Sequence, residues 1–180
     1  MNTILLYARD EAMRTGSYAI GADHLMLGIL RHGENAACLL LGELGIDLKG
    51  FKRYVDSCLF RSQSVPYAAS DRMTVGRSAQ NVINMAAFES LKVGSEEVQA
   101  LHLLLALSRA SETASAPWLS AHGAGTRELL ARLEERGWSR KPAIPTPAEE
   151  EVKKSVESQI QSLVFITPAS GSGSGKKLPN

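Results

Sequence analysis

Cysteine is nearly missing from this chain: Cys38 and Cys58 are the only two among 180 residues. That rules out a disulfide-stapled scaffold and fits a reducing compartment, although a single bridge stays open on sequence alone. Aromatic residues are scarce at 6%, too few for the stacked platforms on which single-stranded nucleic acids lie. Neither sign of charge dominates. Lys and Arg number 20 against 19 Asp and Glu, so no electrostatic footprint points to nucleic acid or to an anionic membrane. No apolar run approaches the roughly 18 residues that span a bilayer. The first residues lack the charged-then-apolar order of a signal peptide. A cytoplasmic location is the expectation. Proline is rare before residue 141 and glycine is spaced, so helices have room to form. At 44% hydrophobic and 22% charged, a chain of this length can bury a core without staples.

What is present is a recurrence. Ala22-Asp23-His24-Leu25-Met26-Leu27-Gly28-Ile29-Leu30-Arg31 returns as Ala100-Leu101-His102-Leu103-Leu104-Leu105-Ala106-Leu107-Ser108-Arg109, 78 places on. Extending the offset without a gap aligns residues 4–55 with 82–133, and 13 of the 52 positions are identical. Among them are Ala8/Ala86, Glu11/Glu89, Gly16/Gly94, His24/His102, Arg31/Arg109, Glu34/Glu112 and Gly45/Gly123. Glycines kept at helix ends, together with the central apolar run, mark a duplicated structural unit.

Within each unit the apolar spacing is helical. The first helix is expected over 3–15, capped by Thr3, with Ile4, Leu5, Ala8, Ala12 and Met13 on one face. Asp10, Glu11 and Arg14 are expected off that face. The second helix, from Ala22, is apolar nearly all round and therefore central. A third runs over about 34–43, and a fourth is capped by Asp47. Residues 60–72 lack the helical period and contain Pro66. Thr74 is expected to cap a fifth helix. A sixth covers about 100–110, a short seventh includes Trp118, and an eighth starts near Thr126. The fold class predicted is all-α, a pseudo-twofold pair of four-helix repeats. The expected division is repeat one at 1–59, an inter-repeat linker at 60–73, repeat two at 74–137 and a tail at 138–180.

The tail changes character. Lys141-Pro142-Ala143-Ile144-Pro145-Thr146-Pro147 is proline-rich, 149–163 has the pattern of one amphipathic helix, and 169–177 has linker composition. Such an ending reads as the front piece of a longer protein. Val164-Phe165-Ile166 ahead of Gly171–Lys176 mimics a strand and phosphate loop. Ser170 and Lys177 stand where that motif needs glycine and a hydroxyl residue, and no helix follows, so nucleotide binding is not expected.

The pattern A-R-D-E-A…G…I-G-A-D-H-L-M-L-G-I-L-R-H-G-E, with its second copy, resembles the N-terminal repeat domain of the Clp-type AAA+ unfoldases over residues 1 to about 136. The L-R-H-G-E continuation is nearest to the ClpC branch. The resemblance implies a non-catalytic module that binds adaptor proteins and unfolded or tagged substrates and passes them to an ATPase ring in cis. A free-standing Clp-repeat accessory protein of a protease is the competing reading; a reading frame that continues past Asn180 into a Walker A motif decides for the first. In ClpC-type domains, the acidic residue before each motif histidine helps hold phosphorylated arginine. Here that position is Asp23 in the first repeat and Leu101 in the second, so tag reading is expected at repeat one only. The resemblance also implies about two more helical turns ahead of Ile4 than this chain has.

Each candidate residue has a plain alternative. Asp23 sits where a first-turn carboxylate interacts with free amides of a helix. Arg31, Glu34, Arg109 and Glu112 are candidates for a partner-binding rim or are solvated charges at helix ends. His24 and His102 lack further ligands at zinc-like spacing and read as hydrogen-bonded structural histidines. Cys38 has no activating base in the sequence and reads as a small core residue rather than a nucleophile. No metal and no cofactor are expected.

Overall fold

The computed structural model describes residues 1–61 and 63–138. In chain order the elements are α1 (Asn2–Arg14), β1 (Ala19–Ile20), α2 (Ala22–His32), α3 (Ala36–Glu43), α4 (Leu48–Leu59), a 3₁₀ helix (Tyr67–Arg72), β2 (Thr74–Val75), α5 (Arg77–Lys92), α6 (Ala100–Ser108), α7 (Ser115–Ala121) and α8 (Thr126–Glu135). The largely helical duplication is as read from the sequence. The sequence-predicted helix at 149–163 lies outside the described residues.

The two copies of the repeated stretch form the centre. On α2, Leu25, Met26, Leu27 and Ile29 are fully buried, as are Leu103, Leu104, Leu105 and Leu107 on α6. Removing each such side chain from water contributes roughly 1.5–3 kcal/mol. One apolar cluster runs through both repeats, so neither half has a separate core. Each central helix packs against the first helix of its own unit, α1 on α2 and α5 on α6, and both meet across the pseudo-twofold.

Glycine sets the closest approach. Gly28 faces α1, where an added Cβ would lie 2.5 Å from the Ile4 carbonyl oxygen and 3.2 Å from the Ala8 Cβ. The equivalent position on α6 is Ala106. Gly16 ends α1 with φ +85°, a conformation only glycine adopts without cost, and its missing side chain leaves room for the Gln63 carbonyl. The chain after α4 is thereby drawn onto the end of α1: Arg61 N–H donates to Thr15 O at 3.0 Å and Val65 N–H to Met13 O at 2.8 Å.

Two expected caps are corrected. Thr3 lies inside α1, whose N-cap is Met1 with no side-chain bond. Thr74 belongs to β2, and α5 starts after Gly76. Thr74 is drawn into a parallel ladder with the segment before α2, with Ala19 opposite Thr74 and Ile20 opposite Val75. A pairing between residues 55 places apart leaves no local signal. The Asp47 cap is present, its carboxylate accepting from Lys49 N–H at 3.1 Å. Asn35 caps α3 by accepting from Cys38 N–H at 3.0 Å, which moves that helix's start to Ala36.

Candidate functional site

Asp23 is in the first turn of α2, but its partners belong to the other repeat. Its carboxylate accepts from Ala114 N–H and Ser115 N–H, both at 2.9 Å, and from the Ser115 hydroxyl. These are the free amides at the start of α7, so the charge is placed against the positive end of a helix about 90 residues away. The cap is reciprocated: Ala22 N–H, at the start of α2, donates to the Ser78 hydroxyl of α5 at 3.2 Å. Leu101, the counterpart of Asp23, is partly buried against the core.

Arg31 and Arg109 reach the same element of their own repeats. Arg31 approaches Glu11 at 3.5 Å and Asp10 at 3.6 Å, and its guanidinium lies 4.8 Å from the Tyr7 ring centroid. Arg109 pairs with Glu89, which also takes Lys92 Nζ at 2.9 Å. Glu11 likewise takes Arg14 Nε at 2.7 Å. The two carboxylates are 3% and 1% exposed. Glu11 therefore lies on the buried side of α1, contrary to the amphipathic reading, because two arginines neutralise it there. Burial alone would raise the Glu89 carboxyl pKa, but the hydrogen bonds and charges of Lys92 and Arg109 outweigh it and hold it below the ordinary value. These acids were among the identical pairs of the repeat, which is the signal that could have marked them. Glu34 and Glu112 are exposed in the loops after α2 and α6. Five candidates thus occupy three settings: a cross-repeat cap, two clamped arginines and two exposed acids.

The histidines are structural in the same way twice. His24 Nδ1 accepts from Gly21 N–H at 2.8 Å, and His102 Nδ1 accepts from Gln99 N–H at 2.9 Å. An amide donor at Nδ1 requires the proton on Nε2. In the first repeat that nitrogen meets Thr15 Oγ1 at 3.0 Å; Val93 stands at the equivalent place in the second. Burial lowers both pKa values, that of His102 to about 4. Among the described residues no group of three His, Cys, Asp or Glu side chains could hold a metal. Cys38 is buried and its thiol pKa is raised by desolvation.

Aromatic side chains gather where α4 of the first repeat meets α7 of the second. Phe51 stacks on Trp118 with ring centroids 4.4 Å apart, and His122 stacks on the same indole at 3.7 Å. Tyr54 tilts against Trp118 at 5.9 Å. The pseudo-symmetric corner, α8 on α3, is ionic instead, with Arg132 and Arg136 on Glu43. Sequence reasoning missed both corners, since their partners are about 65 to 95 residues apart.

The family model described as the Clp repeat (R) N-terminal domain matches residues 1–122. The chain belongs to this family. It is 32% identical over 120 residues to the negative regulator of genetic competence ClpC/MecB of Bacillus subtilis. It is 29% identical over 124 residues to the chaperone protein ClpB of Oceanobacillus iheyensis. Each alignment covers 67% of this chain, and the chain spans only 14% of either relative's length. Among solved structures, the N-terminal domain of the chaperone ClpD from Arabidopsis thaliana superposes with a TM-score of 0.56 at 19% identity, covering 74% of this chain and 92% of that one. That likeness establishes the duplicated Clp-repeat fold. The Clp N-terminal domain is a non-catalytic module. Among the described residues, no helix is long and apolar enough to cross a membrane.

Proposed function

We propose that this Clp-repeat domain is the docking module of a Clp-type unfoldase. It takes up adaptor proteins and unfolded or tagged substrates for an ATPase ring carried in cis, in the cytoplasm. The observation that carries the reading is the pair of repeated central helices inside a chain that matches the N-terminal part of ClpC/MecB and ClpB. Two further features support recognition rather than chemistry. Arg31 and Arg109 are anchored on buried carboxylates yet keep 40% and 25% of their side chains exposed, a rigid presentation suited to a partner. Glu34 and Glu112 follow them on exposed loops, so the two repeats offer matching rims.

Asp23 enters this proposal as the tag-facing acid of repeat one only if it leaves its α7 partners when a guanidinium arrives. Calorimetric titration of the chain with an unfolded model protein, an adaptor and a phosphoarginine peptide tests the function. Saturable binding to at least one supports it; no binding to any at high micromolar concentration overturns it. The double substitution E34K/E112K is expected to weaken adaptor binding without altering the fold.

A further inference from the structure

The outer faces of α1 and α5 hold the same place in the two repeats but differ in character. Met85 and Phe88 on α5 are 39% and 48% exposed, and their spacing of three puts them on one face. By contrast, α1, α3 and α4 each expose a single large hydrophobic side chain: Leu6, Leu39 and Tyr54. The counterparts of Met85 and Phe88 on α1 are Tyr7 and Asp10. There Arg31 uses the face, its guanidinium 4.8 Å from the Tyr7 ring centroid and 3.6 Å from Asp10. Ala87 also stands where repeat one has Arg9. The face is thus ionic in repeat one and apolar in repeat two, and an exposed apolar stripe on a helix marks a contact surface.

We infer that residues 149–163 of this same chain pack on the Met85–Phe88 face of α5 as an antiparallel amphipathic helix. Trp138 brings the chain to the right end of α5. Its ring lies 5.5 Å from that of His102, in the first turn of α6, and residues 93–99 join that turn to the end of α5 at Lys92. From there, residues 139–148 include Pro142, Pro145 and Pro147 and can reach about 30 Å when extended. That exceeds the length of α5, whose 16 residues rise about 24 Å. The pattern of 149–163 sets Val152, Val156, Ile160 and Leu163 on one helical face, over a length that matches α5. Entering from the Lys92 end, Val156 meets Phe88, Ile160 meets Met85, and the acids Glu149, Glu150 and Glu151 fall beside Lys92. A tethered segment of this kind faces α5 at an effective concentration of millimolar order, which favours it over a free partner. The cover belongs to repeat two alone, because Arg31 takes the same face of repeat one.

Amide hydrogen exchange of the full 180-residue chain is the test. Amides of 152–163 are expected to exchange at least about tenfold more slowly in the native chain than in an M85E/F88E double variant, which alters only exposed side chains. The protection should not change over about a hundredfold range of protein concentration. A V156D/I160D variant, altered only in the tail, should shift the backbone signals of Asn81–Lys92 on α5 and leave those of α2 in place. Fast exchange at 152–163 in the native chain overturns the inference and leaves the face to an outside partner. Protection that M85E/F88E leaves intact overturns it too. Protection that grows with concentration gives the face to a second copy and overturns the intramolecular cover. Should M85E/F88E fail to fold, V156D/I160D decides: no shifts at 81–92, or shifts centred elsewhere, overturn the site.

Discussion

Asp23 and Ser115 join the two repeats: the carboxylate at the start of α2 accepts both the amide and the hydroxyl of a residue at the start of α7, 92 positions later. The acid that the sequence offers for a charged tag is thus also a helix cap. Asp23→Ala leaves three donors at the α7 terminus without it, and a loss of about 2 kcal/mol in stability is expected. Asp23→Asn keeps an acceptor and should lose about half as much. Urea denaturation of the three proteins measures this. A stability loss with unchanged phosphoarginine binding would make the residue structural alone, and weaker tag binding by the better-folded Asn variant would give it both roles.

Acid should loosen the fold before most carboxylates titrate. His102 stays neutral when folded down to a pKa of about 4, and burial lowers His24 in the same direction, while an unfolded histidine takes up its proton near 6.5. The unfolded state therefore binds more protons below that point. Stability is fully present above about pH 6.5 and falls as pH drops toward 4, by up to about 3 kcal/mol from His102. Glu89 acts in the same sense at lower pH: its depressed folded pKa means stability is lost as pH falls through and below the ordinary carboxylate range. Unfolding curves at pH 7.5, 6 and 5 should show the decline, and His102→Gln should flatten it.

Gly28→Ala is expected to destabilise by roughly 1–3 kcal/mol, because the new methyl meets the backbone of α1 at Ile4 and Ala8 and neither can retreat. Since Ala106 is already tolerated at the equivalent place, Ala106→Gly should cost only about 1 kcal/mol, through helix propensity. Thermal melts of the pair compare the two helix crossings directly.

The thiols should separate cleanly. Cys58 is exposed on α4, whereas Cys38 is buried on α3 with a raised pKa. An aromatic disulfide reagent is expected to titrate one thiol rapidly in the native protein and the second only after unfolding. Cys58→Ser should abolish the fast phase.

The sequence alone determined what depends on neighbours within a helical turn or on self-comparison. Apolar spacing marked the helices, Gly16 and Gly94 their ends, and the 78-residue recurrence identified α2 and α6 as the paired centre. Those signals are local or internal to the chain, so they survive without coordinates. Only the tertiary structure decided where charge goes once helices pack. Glu11 was read as a surface acid, and is buried because arginines from two different helices meet it. Thr74 was read as a helix cap, and is a strand residue because Tyr18, 56 positions earlier, takes its amide. Asp23 with its α7 partners and the Phe51–Trp118–His122 stack likewise arise from contacts between repeats. The energy of such contacts comes from residues that periodicity cannot relate to one another.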